Sequence, residues 1–321
     1  MMAVSMAQGQ KLTGAGATFP NPIYSKWFSE YSSAHPGVEI NYQSIGSGGG
    51  ITQVSKGLVD FGASDMPVPD AQLATSSVKY IHIPTVLGAV VPVYNVPGAS
   101  DLKFSGDVLA DIFEGKITNW SDARIVKDNP GVKLPDQKII VVHRSDGSGT
   151  SFIFTDYLSK VSKSWNDGPG KGSSPNWPVG VGGKGNEGVA GLVRQLPGAI
   201  GYVELIYALQ NHISFGTVKN AAGNWIRASI EGVTAAAAGA KIPADYRVSI
   251  TNAPGAQAYP ISSFTYLLVP VKAKDANNGK VLKDLLSWIV KSGESEVSSL
   301  SYAPLPSDLA EKVLKTVYSL Q

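Results

Sequence analysis

The sequence predicts an α/β fold with two lobes joined by a pair of extended crossings. Three observations carry that expectation. Short apolar runs of strand character alternate with amphipathic helical stretches along the chain. Three glycine-rich turns each open a helix. Two long apolar segments, YIHIPTVLGAVVPVYNVPG near 80–98 and AYPISSFTYLLVP near 258–270, read as strands that cross between lobes and serve as a hinge.

The strands are expected at Val38–Ser44, where Val38, Ile40 and Tyr42 share one face, and at Ile81–Tyr94, Lys138–His143, Ala199–Glu204 and Phe264–Val269. Helical spacing appears at Ile23/Trp27/Tyr31, Ile51/Val54/Leu58, Phe154/Tyr157/Leu158, Val189/Leu192/Val193 and Leu282/Leu285/Ile289. A last helix follows Ser307-Asp308, which supply a cap and a first-turn carboxylate. Trp27, Tyr31 and Trp288 read as core. Residues 162–188, rich in Gly, Ser, Pro, Asn and Trp, read as a surface excursion within a domain. The two crossings divide the chain into a first domain of residues 11–88 and 262–321 and a second of residues 89–261.

Composition narrows the function. A chain of 321 residues, 43% hydrophobic and 16% charged, has the core for two domains and too little charge for disorder. A net charge of +2 with scattered Lys and Arg leaves no footprint for nucleic acid. The absence of cysteine excludes a disulfide scaffold and thiolate metal sites. The opening MMAVSMAQGQK has neither a charged n-region nor an apolar h-region, so residues 1–10 read as a short leader rather than a signal peptide. The longest apolar run, Val86–Val93, is too short to span a bilayer.

The chemistry gathers at the turns TGAGATFPNP, SIGSGGGITQ and RSDGSGTSF. Small residues admit a ligand close to the backbone, and a helix front presents unpaired N–H groups with partial positive charge. A single such turn is commonly just a cap; three in one chain favour a shared anion. Capping alone is the alternative reading of Thr18, Ser148 and Thr150. Ser47 is less easily read as a cap, because a cap needs no run of glycines after it. Arg144 ends an apolar strand, the edge at which open α/β sheets bind ligands, with an ordinary surface arginine as the alternative. Asp146 reads as the partner that fixes the guanidinium fork.

Asp65, in LVDFGASDMPV, is a carboxylate beside an expected anion site. That placement makes sense if the anion is protonated, since ionised Asp accepts from a P–OH that sulfate lacks; capping the next turn is the alternative. GKGNEG matches G-x-G-x-x-G without a dinucleotide context and reads as a turn opening the helix at Val189. Neither serine turn fits a nucleophile elbow, and the histidines at 35, 82, 143 and 212 lack metal spacing.

LTGAGATFPNPIYSKW, YQSIGSGGGITQ, VDFGASDMP, DGSGTSFIFT, GGKGNEG and LPGAIGYVE, in this order, resemble the periplasmic phosphate-binding proteins of bacterial phosphate-specific ABC transporters. The resemblance runs from Leu12 to the C-terminus and is weakest around 215–260. It implies the type II periplasmic-binding-protein fold, two α/β domains joined by a two-strand hinge with a ligand cleft between them. It also implies a non-enzymatic, monomeric periplasmic protein that binds HPO4²⁻ or H2PO4⁻ without a cofactor or metal and delivers it to a membrane permease. Carried over residue by residue, the phosphate-binding set is Ala17, Thr18, Phe19, Ser47, Asp65, Arg144, Ser148, Gly149 and Thr150, with Asp146 paired to Arg144. His143 before the arginine and GSGGG in place of the usual GSSGG depart from the family pattern. A phosphate-ester hydrolase, a binder of another tetrahedral oxyanion and a scavenger without a transporter are the competing readings.

Overall fold

The computed structural model describes residues 9–320, so most of the expected leader lies outside the described residues. The chain begins with β1 (Gln10–Gly16), α1 (Asn21–Ala34), β2 (Val38–Ser44), α2 (Ser47–Ser55), β3 (Phe61–Ser64), α3 (Asp70–Ala74) and the long β4 (Tyr80–Tyr94). The middle holds β5 (Lys103–Phe104), α4 (Gly106–Phe113), α5 (Ala123–Asp128), β6 (Ile140–Arg144), α6 (Gly149–Val161) and α7 (Lys163–Asp167). It continues with β7 (Val181–Gly183), α8 (Gly185–Gln195), β8 (Ala199–Glu204), α9 (Leu205–Gln210), β9 (Ser214–Phe215), β10 (Thr217–Lys219), β11 (Trp225–Ile226) and α10 (Ile230–Ala237). The chain closes with β12 (Ser262–Pro270), α11 (Ala276–Lys291), a 3-10 helix (Gly293–Leu300) and α12 (Ser307–Tyr318).

Among the described residues, nine strands form one sheet in the order β2-β1-β3-β12-β4-β8-β6-β7, with β9 beside β4. The first four come from the two ends of the chain and the last three from its middle. β4 belongs to both groups. Residues 80–89 of β4 pair antiparallel with β12, and residues 90–94 pair antiparallel with β8. The two segments expected as crossings therefore run side by side. β1 is parallel to β2 and β3, and β6 is parallel to β7 and β8.

Parallel pairing in register decides where the turns meet. β1, β2 and β3 end at Gly16, Ser44 and Ser64, so the segments beginning at Ala17, Ile45 and Asp65 leave the same edge. β6 and β7 end together at Arg144 and Gly183. β1 went unpredicted because its glycines look like turn signals. Gly14 and Gly16 lie within the strand, and the turn proper is residues 17–20. A Cβ at Gly14 would enter the ring of Phe61, and Gly16 at φ +152 lies hard against the backbone of Ala63.

Other elements depart from expectation in detail. Pro20 and Pro22 flank the start of α1 as the sequence suggests. The helix after GKGNEG opens at Gly185, four residues before Val189. Residues 162–188 contain α7 and β7, and the end of the stretch turns inward to the site. Pro306, without a side-chain cap bond, precedes α12, so Ser307 is its first residue rather than its cap. An aromatic cluster of Tyr24, Trp27, Phe28, Tyr42 and Phe61 packs α1 on the β1–β3 side. Trp288 is partly buried and stacks edge-on against Tyr31.

The 3-10 helix carries a half-buried acid, Glu294. One carboxyl oxygen accepts from Leu305 N at 3.2 Å while the other is buried with no partner among the described residues. Burial pushes its pKa up to about 8 from an ordinary 4.5. The folded protein therefore holds a proton that the unfolded chain releases. The stability this supplies is complete below pH 4.5 and is lost as pH rises through 8. Glu294→Gln, neutral throughout, is expected to gain Tm over the parent chain progressively between those limits. A Tm difference equal at pH 4 and pH 9 contradicts the burial argument.

Candidate functional site

The strand ends bring the three sequence turns together. Gly48 N donates to Gly147 O at 2.8 Å, joining the second turn to the third. Ser47, the first residue of α2, makes no cap; its Oγ accepts from Asp65 N at 3.2 Å and from Gly149 N at 3.0 Å. The first turn joins through Asn186. Its Nδ2 donates to Thr18 Oγ1 at 2.7 Å and to Thr150 Oγ1 at 3.1 Å. The residues expected to bind are all buried in this cluster, although they span more than 130 positions of sequence.

Arg144 is 3% exposed at the end of β6. Its Nε donates to Asp146 Oδ1 at 2.8 Å and its Nη2 to Oδ2 at 2.5 Å, the bidentate geometry expected of this pair. Asp146 Oδ1 also accepts from Gly185 N at 3.0 Å. Burial acts to raise the Asp146 pKa, but the Arg144 fork, its charge and the Gly185 amide together hold it below the ordinary value. The remaining nitrogen, Arg144 Nη1, is buried with no partner among the described residues. His143, preceding it, is turned away and stacks on Trp177 at 5.0 Å.

The segment Ala17-Thr18-Phe19 is fixed by its carbonyls. Tyr42 donates to Ala17 O at 2.7 Å, Tyr207 to Thr18 O at 2.5 Å and Tyr302 to Phe19 O at 2.6 Å. A trans peptide sets each N–H opposite the preceding carbonyl, so Tyr42 and Tyr207 aim the amides of Thr18 and Phe19. Neither amide has a protein acceptor among the described residues, nor does that of Thr150 in the first turn of α6. Ala17 N is engaged by Ala63 O, Ser148 N by Ser173 O and Gly149 N by Ser47 Oγ. Ser148 Oγ caps α6 through Ser151 N at 3.0 Å. The free amides are thus fewer than the turns alone suggest.

Asp65 is 1% exposed and does not cap its following turn. Thr265 Oγ1 donates to its Oδ1 at 2.8 Å, from the point where the β12–β4 register shifts between Thr265 and Tyr266. Burial raises the Asp65 pKa to about 7, against the lowering effects of the Thr265 hydroxyl, the Arg144 charge and Ser47. Among the described residues no cluster of three or more His, Asp or Glu side chains has metal-binding spacing.

A PBP superfamily domain profile matches residues 3–293. The protein named "Phosphate-binding protein PstS" from Xylella fastidiosa is 48% identical over 94% of this chain and 84% of its own. Its namesake from Pasteurella multocida is 46% identical over 95% of this chain and 89% of its own. The chain belongs to the PstS phosphate-binding protein family. The same fold occurs in a high-affinity periplasmic phosphate-binding protein solved with phosphate, with TM-score 0.75 and 22% identity over 95% of this chain and 93% of that one. It occurs also in the phosphate-binding protein of Stenotrophomonas maltophilia, with TM-score 0.74 and 20% identity over the same shares.

Sequence reasoning missed Asn186, Thr265 and the three tyrosines. Asn186 stood in GKGNEG, a motif carried by the family resemblance, and the other partners became evident only once the strands were aligned. The close packing makes one glycine exacting. A Cβ at Gly149 would stand 2.5 Å from both Asp65 Oδ2 and Ser47 Oγ. In urea denaturation with saturating phosphate present, Gly149→Ala is expected to destabilise the protein by about 1–3 kcal/mol. An unchanged midpoint contradicts the contact between the turns.

Proposed function

We propose that this chain binds inorganic phosphate tightly at the Arg144 site and delivers it to the membrane permease of an ABC importer in the periplasm, acting as a monomer and without catalysis. The observation that carries the reading is the buried Arg144 Nη1, which has no protein acceptor among the described residues. Beside it stand the free amides of Thr18, Phe19 and Thr150. Buried unpaired donors in such number favour a ligand that offers several acceptor atoms at once, as a tetrahedral oxyanion does. The relatives' names supply the choice of phosphate.

In this reading Thr18, Phe19, Ser47, Arg144, Ser148 and Thr150 donate to the anion. Ala17 and Gly149 act through backbone placement, and Asp146 holds the guanidinium. Asp65 selects. Above about pH 7 its carboxylate accepts the P–OH proton of phosphate and repels sulfate, which has no proton to offer. Residues 11–88 with 262–321 form one lobe and 89–261 the other, hinged at β4 and β12. Ligand favours the closed form because it takes contacts from both lobes, and the permease reads that form.

Calorimetry at pH 8 is expected to give tight one-to-one phosphate binding without competition from excess sulfate, a discrimination of ~10⁴-fold or more. Arg144→Ala is expected to weaken phosphate by at least ~10-fold. Sulfate binding should emerge below about pH 6, where neutral Asp65 becomes a donor, and Asp65→Asn should admit sulfate already at pH 8. Comparable affinities for the two anions at pH 8 refute the role of Asp65. An unchanged Kd in Arg144→Ala removes that residue from the site.

A further inference from the structure

We infer that Asn186 is a positioning residue which orients the hydroxyl protons of Thr18 and Thr150 toward the anion; this role rests on the phosphate reading above. A threonine hydroxyl donates one hydrogen bond and accepts two, and near an anion only the donor is useful. Thr18 Oγ1 accepts from both Asn186 N at 3.2 Å and Asn186 Nδ2 at 2.7 Å. Both of its lone pairs are occupied, so its proton has to point away from Asn186. The second Nδ2 hydrogen is directed to Thr150 Oγ1 at 3.1 Å, which biases that hydroxyl in the same sense.

The amide group itself has no freedom to turn over. Its Oδ1 accepts from Glu204 N at 2.9 Å, so exchanging oxygen and nitrogen would set Nδ2 against an N–H donor. Asn186 is completely buried at the second position of α8, after Gly185 with φ +71. One side chain thereby ties the turn after β1 to the fronts of α6 and α8. An aspartate of the same shape would do the reverse. Its carboxylate would accept both hydroxyl protons, turn them inward and add negative charge.

The test is phosphate calorimetry at pH 8 on the parent chain, Asn186→Asp, Asn186→Ala, and Asn186→Ala combined with Thr18→Val and Thr150→Val. Asn186→Asp is expected to lose at least ~100-fold in affinity and Asn186→Ala about 10-fold. Orientation through hydroxyls predicts that Asn186→Ala costs less than ~3-fold once both threonines are valine. In a Thr18→Ser background, which keeps the hydroxyl, the loss should return. A merely structural asparagine costs the same in every background, and that additivity overturns the role. If Asn186→Asp fails to fold by circular dichroism, the alanine series decides alone. Parent chain that binds phosphate while Asn186→Asp binds equally well overturns this role and leaves the function standing. Parent chain that gives no heat with phosphate overturns both.

Discussion

A buried hydrogen-bond donor is costly unless it has an acceptor, and around Arg144 the protein satisfies most donors while leaving a small set free. Asp146 takes two guanidinium nitrogens and Gly185 braces Asp146. Ser47 Oγ gathers the amides of Asp65 and Gly149. Among the donors left free are Arg144 Nη1 and the amides of Thr18, Phe19 and Thr150, from turns that only this sheet brings together. The arrangement stores a deficit of acceptors among buried residues, where an added acceptor interacts strongly.

The sheet is the means of assembly. Parallel β1, β2 and β3 deliver one set of segments to a common edge, and β6 with β7 deliver the other. Two antiparallel strands, β4 and β12, stand between them and also carry functional detail. The irregularity in their register occurs where the Thr265 hydroxyl reaches Asp65. Tyrosines from β2 and α9 set the directions of amides in a loop that neither belongs to. The proposed selectivity therefore depends on residues outside the loops as much as on the loops themselves.

Much of this was legible in the chain. The strand at Val38–Ser44 and that at Ala199–Glu204 follow from local pattern, and both crossings pair as strands. Arg144 and Asp146 lie two residues apart, so their fork was expected from spacing alone. β1 was not legible, since a glycine needed for close packing looks the same as a glycine needed for a turn. Asn186 was hidden for a similar reason: an asparagine after a glycine at a helix front has a sufficient local explanation. Its contacts are 168 and 36 residues away, with Thr18 and Thr150. The pKa of Asp65 depends on burial by elements distant in sequence, so its upward shift was beyond reach.

The most direct measurement is a crystal structure of this chain grown with millimolar inorganic phosphate near pH 8. The account predicts one anion within hydrogen-bonding distance of Arg144 Nη1, the amides of Thr18, Phe19 and Thr150, and the carboxyl of Asp65. Phosphate bound elsewhere, with Arg144 Nη1 facing protein or solvent alone, would contradict it.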